Sequence, residues 1–236
     1  ESGKKVITNI ARSGLTSRWK VLPPDTQRFW MSRVGLRELD GVSIDEFGSE
    51  NEEEAVVFAP AVRAINDAMP GKTLYAYCCA AWYSHRRTQD LRDALQEGGH
   101  VFAPELYMRE QRSEAEAKRY ISTFFDWLRQ WERSKPGSIG SIVWTYGCSD
   151  SYYAYYVLDT FAAADHKVFL DLQFCLAAND PELFGMRGVC PWIIRYAKPD
   201  FLLWQARLIR HYLIEGNRDL LSSRCHRKYN PEYLIN

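Results

Sequence analysis

Leu39-Asp40-Gly41-Val42-Ser43-Ile44-Asp45-Glu46-Phe47-Gly48-Ser49-Glu50 is the stretch whose reading decides the fold. Val42 and Ile44 are large and apolar, while Gly41, Ser43 and Asp45 are small or polar. A period of two is that of a strand, so the two sets point to opposite faces. The strand ends on adjacent acids, Asp45 and Glu46, followed by a Gly-Ser turn and a Glu-rich helix start from Glu50 to Glu54. In a parallel barrel the outward face of a strand packs under helices, and the inward face near its carboxyl end meets the active site. That geometry aims Asp45 inward and leaves Glu46 on the rim.

The pattern repeats along the chain. Val6 to Ala11 reads as a short strand, and Thr26 to Arg37 as an amphipathic helix leading into the Asp-Glu strand. Asn51 to Met69 is helical until Pro70-Gly71 stops it. Thr73 to Cys79 is the next strand, with Trp82 and Tyr83 just past its end, and Thr88 to Glu97 is a charged helix closed by Gly98-Gly99. His100 to Met108 is again a strand: Phe102, Pro104 and Leu106 fall on one face, and Val101, Ala103, Glu105 and Tyr107 on the other. Ser113 to Arg133 is the longest helix, its acids early and its arginines late, as the helix dipole favours. Ser141 to Tyr146 is a strand ending in Trp144 and Tyr146, and Asp150 to Ala164 an aromatic-rich helix. Val168 to Phe174 alternates once more and reads as a strand with Asp171 and Gln173 on its polar face. Gly188 to Ile194 is expected as a last strand, and Asp200 to Glu215 as a helix with Pro199 before it and Gly216 at its C′ position.

About seven alternations of strand and helix argue for a parallel sheet with helical crossovers. No Gly-rich phosphate loop opens any helix, which disfavours a doubly wound nucleotide-binding sheet. A (β/α)8 TIM-type barrel is the expected architecture, as one catalytic domain over residues 1–236. Such barrels typically take about 250 residues; the chain has 236 and its first strand starts near residue 6. The expectation is therefore a barrel lacking its first strand or strands.

Lys plus Arg and Asp plus Glu are 30 each, so no global field would draw nucleic acid or an anionic membrane. No run of 18 apolar residues is present, which leaves no transmembrane helix in the sequence. The chain opens Glu-Ser-Gly-Lys-Lys without Met or an apolar signal core, and reads as a processed product or a fragment. The six cysteines lack metal-type spacing and read as buried thiols, with a disulfide open to a secreted protein. The five histidines, at 85, 100, 166, 211 and 226, show no metal-ligand spacing and read as surface or cap residues. Neither a metal nor a cofactor is expected.

Glycosidic hydrolysis needs two carboxyl groups facing each other across a sugar. Asp45, Glu46 and Glu105, at the ends of different strands, could form such a pair, with Asp171 joining from a third. Aromatics make up 14% of the chain. Tyr77, Trp82, Tyr107, Trp144, Tyr146 and Trp192 would supply stacking walls, and Gln173 a further polar contact.

Leu39 to Phe47 resembles the catalytic strand of (β/α)8-barrel glycoside hydrolases. Asp40, Gly41 and Asp45 match the Asp-Gly-x-x-x-Asp start shared by the chitinase-like families. Those families place the catalytic Glu two residues after that Asp, where this chain has Phe47. Asp45-Glu46 is similar instead to the adjacent Asp-Glu dyad of the hexosaminidase-like families, in which Glu is the acid and Asp the partner of the substrate acetamido group. Pro104 to Tyr107 and Arg210 to Gly216 are similar to stretches of uncharacterised barrel hydrolases. The resemblance implies a glycosidase with Glu46 as general acid/base, Asp45 as orienting group and a carbohydrate as the partner; Glu105, at the end of another strand, is the expected opposing carboxylate. A glycosidase would favour an extracytoplasmic or secreted location; the oligomeric state is left open. A non-catalytic sugar-binding barrel and a metal-dependent barrel hydrolase, its ion held by Asp45, Glu46 and His85, are the competing readings.

Overall fold

The computed structural model describes residues 5, 7–11, 23–45, 52–79, 89–148, 164–192 and 197–229. Among the described residues six strands form one sheet in chain order: β1 (Ile7–Ala11), β2 (Gly41–Asp45), β3 (Thr73–Cys79), β4 (Val101–Leu106), β5 (Val143–Gly147) and β6 (Gly188–Trp192). The β1–β2, β2–β3 and β3–β4 pairs are parallel, and Phe102 and Ile142 form a further parallel bridge. Consecutive parallel neighbours require a crossover, and helices supply several: α1 (Pro23–Val34), α2 (Glu52–Ala68), α3 (Gln89–Glu97), α4 (Glu114–Ser134) and α5 (His166–Asn179). After β6 come α6 (Pro199–Leu208), a π-helical turn (Ile209–Ile214) and the short α7 (Leu221–Arg224). The chain therefore has an α/β fold with a parallel sheet and alternating strands and helices.

Two compact units divide it: Glu1–Glu105 with Ser134–Trp144 and Met186–Gly188, and Leu106–Arg133 with Thr145–Gly185 and Val189–Asn236. In the first, the period-two reading is visible as burial in β2 and β3, whereas in β4 both faces are buried until Glu105. Val42, Ile44, Leu74, Ala76 and Phe102 are buried, while Ser43, Asp45, Tyr75, Tyr77 and Glu105, on the alternate positions, are half-buried. Helices α1, α2 and α3 of this unit bury their own stripes: Trp30 and Val34, then Phe58, Val62 and Ile65, then Leu91 and Leu95. Each large apolar side chain so buried contributes about 1.5–3 kcal/mol before the entropy of ordering it is counted.

Gly41 has a steric role at the entry of β2. A Cβ there would lie 2.0 Å from the Thr73 carbonyl oxygen, and Thr73 N–H donates to the Asp40 carbonyl at 2.9 Å. Only glycine lets the two backbones approach so closely at the start of their pairing.

His100, expected as a surface or cap residue, is buried at the start of β4. Its Nδ1 accepts from Leu74 N–H at 3.2 Å, which leaves Nε2 to donate to Asn66 Oδ1 at 2.8 Å. Asn66 in turn donates to the Ala94 carbonyl at 2.9 Å. One imidazole thus ties β3 to α2 and, through Asn66, to α3, and both of its nitrogens are used only when it is neutral. His166 and His211 correct the same expectation, since both are buried and hydrogen-bonded within the second unit. His85 lies outside the described residues, and His226 is exposed.

The stretch Val168 to Phe174 is corrected from strand to helix: it is the middle of α5. Asp165 caps that helix, its carboxylate accepting from Lys167 N–H at 2.9 Å. Nearly every residue from His166 to Phe174 is buried, so apolar residues occupy all sides and the helical period does not show. The expected helix Asp150 to Ala164 lies almost wholly outside the described residues. Among the described residues no helix is long and apolar enough to cross a membrane, and Cys148, Cys175, Cys190 and Cys225 are free thiols.

Burial first, and then the Arg187 cation, push the His100 imidazole down to about 4 from its usual value near 6.5. Between those values the unfolded chain binds a proton that the folded chain refuses, so stability falls as the pH falls. This residue should remove about 2 kcal/mol between pH 7 and pH 5, read by urea unfolding. NMR titration should show its ring unprotonated until close to pH 4; a midpoint near 6.5 would refute the assignment.

Candidate functional site

Strand register assembles the first cluster, within the first unit. Ile44 pairs with Ala76, so continuing by one residue sets Asp45 beside Tyr77. Tyr77 pairs with Ala103, and Glu105 lies two residues further along β4, opposite Cys79. Asp45, Tyr77 and Glu105 therefore occupy one face at the carboxyl ends of three neighbouring strands, as the alternation of side chains requires. Strands about 4.8 Å apart, with a rise of about 3.3 Å per residue, put the Asp45 and Glu105 Cα atoms about 12 Å apart. Two carboxylates on one face at that spacing can bracket a small polar group, with a phenol on the strand between them. Ser43 and Tyr75 share the face one step deeper. They were absent from the expected site, although the same period-two rule selects them.

Glu46 and Trp82 lie outside the described residues. Asp40 stands at the opposite end of β2, with its side chain exposed and its carbonyl holding Thr73. Its backbone serves the strand pairing.

The second unit holds other expected site residues. Tyr107, just past β4, and Trp192, the last residue of β6, stack with centroids 3.9 Å apart and planes at 14°. Each therefore covers one face of the other. The Trp192 carbonyl is fixed by Cys148, whose N–H donates at 3.2 Å and whose thiol donates at 2.6 Å. Burial pushes the Cys148 thiol up to about 11, so it stays protonated and keeps donating at neutral pH. Gln205 was also missed: its amide donates to the Cys148 carbonyl at 2.8 Å and its oxygen accepts from the Tyr146 hydroxyl at 3.2 Å. No local sequence signal marks a residue whose partners lie 57 and 59 positions away.

Three side chains expected to line a cleft are instead core. Trp144, in the first unit, and Tyr146, in the second, are fully buried on β5, which has apolar cover on both faces. Asp171 is fully buried on α5, where its carboxylate accepts from Tyr212 Oη at 2.6 Å, Ser222 N–H at 2.6 Å and Leu221 N–H at 3.4 Å. These bonds clamp the segment after the π-turn onto α5. Gln173 is likewise buried on the same helix. The alternation that put both on a strand face belongs to a helix buried on every side.

No protein-family model and no curated protein matches the chain. Among solved structures, the chain is similar to the endo-beta-N-acetylglucosaminidase from Cordyceps militaris in its apo form. The TM-score is 0.50 at 15% identity, over 88% of this chain and 69% of that one. At that identity the likeness is one of fold.

The Asp171 clamp makes a direct prediction. Burial, and then the bond to Asp171, raise the Tyr212 hydroxyl's pKa, so it is a permanent donor. Tyr212→Phe leaves a buried carboxylate one donor short and should lower stability by about 1.5–3 kcal/mol, measured by denaturant unfolding. A change within a few tenths of a kcal/mol would mean that the bond contributes nothing net.

Proposed function

We propose that the chain is a glycoside hydrolase on a (β/α) barrel, cleaving O-glycosidic bonds with paired carboxyl groups. The observation that carries the reading is the register of β2, β3 and β4, which gathers Asp45, Tyr77 and Glu105 on one face at the strands' carboxyl ends. In barrel enzymes catalytic groups come from the carboxyl ends of several different strands. The fold likeness to an endo-beta-N-acetylglucosaminidase supports the same class and nominates an N-acetylglucosamine-containing glycan as the first substrate to assay.

Glu46 is the proposed general acid. It directly follows Asp45 in the sequence and would supply the proton to the leaving group. Glu105 is the proposed opposing carboxylate, acting as nucleophile or as base for water. Asp45 would orient Glu46 or a substrate group, and Tyr77, between the two strands, would donate to the sugar.

Glu105→Gln keeps size and hydrogen bonding but removes the negative charge that would stabilise an oxocarbenium-like transition state. Hydrolysis of an N-acetylglucosamine oligosaccharide should lose at least about 100-fold in kcat, with little change in substrate affinity or melting temperature. Unchanged turnover with a lowered melting temperature would make Glu105 a structural acid and remove it from the mechanism.

A further inference from the structure

We propose that the second unit carries a site for a small phosphate- or sulfate-type oxyanion, formed by the start of α4 and the segment around α7. A cavity of about 390 Å³ opens there, and its polar wall is made by Ser113, Glu114, Ser222, Ser223, Arg227 and Lys228. Ser113 is the residue before α4, a helix of 21 residues, and its Oγ accepts from Glu116 N–H at 3.3 Å. The first turn of a long helix presents N–H groups and partial positive charge to whatever occupies the space in front of it.

Ser222 supplies an independent observation. It is only 1% exposed, yet its side chain makes no hydrogen bond among the described residues and it lines the cavity. Its backbone N–H is held by Asp171 at 2.6 Å, so the residue is fixed in place by its main chain while its hydroxyl is left over. A ligand oxygen in the cavity would accept a hydrogen bond from that hydroxyl.

Charge selects the ligand class. Two cations, Arg227 and Lys228, share the wall with one acid, Glu114, and Lys118 neutralises that acid at 2.6 Å. Arg227 lies over the Trp204 ring at 5.1 Å and pairs with Asp165 at 3.5 Å, which orients its guanidinium. Serine hydroxyls with a planar guanidinium and an ammonium suit a tetrahedral oxyanion, which accepts several such donors at once. The site does not depend on the glycosidase reading, because none of its residues belongs to the acid cluster.

Calorimetric titration with inorganic phosphate tests the proposal, with glucose 6-phosphate as a second arm. Saturable one-to-one binding that weakens with salt is expected. Ser222→Ala and Lys228→Gln should each weaken it by about fivefold or more, with circular dichroism confirming that both variants fold. Lys228 is exposed, so Lys228→Gln decides the matter if Ser222→Ala fails to fold. Tighter binding of the sugar phosphate identifies the ligand as a monoester, and equal binding identifies the free ion. No saturable binding to the unmodified protein, or equal binding by folded Lys228→Gln, overturns the site. Turnover by the same variants should be unchanged, so this result and the Glu105→Gln result stand separately.

Discussion

A slip of one residue between β2 and β3 would turn Val42 and Ile44 away from the helices and put Ser43 and Asp45 into the core. Much of the first unit depends on preventing that slip. Side chains alternate with a period of two, so register is all or nothing for a strand with one apolar face. Two local features hold it. The Gly41 backbone lies against the Thr73 carbonyl closer than any side chain allows, and the Thr73 N–H closes on Asp40. The His100 imidazole then ties Leu74 of β3 to Asn66 of α2, so the helix layer is bonded to the same strand whose register is fixed. Asp45, Tyr77 and Glu105 share a face because of this arrangement.

The two units use buried polar groups in different ways. In the first, the buried His100 is neutral and satisfied at both nitrogens. In the second, Asp171 accepts three bonds from the end of the π-turn and the start of α7, while Glu110 and His166 meet at 2.9 Å with both side chains buried. Buried carboxylates are tolerated when donors surround them, and replacing a donor then costs more than the bond's net worth. Asp171 is explained by its partners within the fold, whereas Glu110 keeps a second buried oxygen that no hydrogen bond satisfies among the described residues.

Strands whose two faces differ were legible in the sequence. The bounds of β2 and β4 follow to within two residues; in β2 one face is buried and the other only half so, while in β4 the alternation shows only at its Glu105 end. Burial on all sides defeated the same rule. Between His166 and Phe174 apolar residues occur at every phase, and a short apolar run does not distinguish strand from helix. Length and the Asp165 cap were the signals that favoured a helix there. Trp144 and Tyr146 were read as cleft walls because aromatics near strand ends often are, but β5 is covered on both faces and they became core. Gln205 and Cys148 could not be found locally, since their roles come from contacts made far along the chain.

The central claim is that the carboxyl groups at the ends of β2 and β4 face one bound sugar. Carbon-13 NMR of the side-chain carboxyls, with Asp45 and Glu105 assigned by substitution, tests it most directly on titration with an N-acetylglucosamine oligosaccharide. The account predicts that both resonances move together with one saturation curve, while the buried carboxyl of Asp171 stays still. Saturable binding that leaves Asp45 and Glu105 unmoved would contradict it.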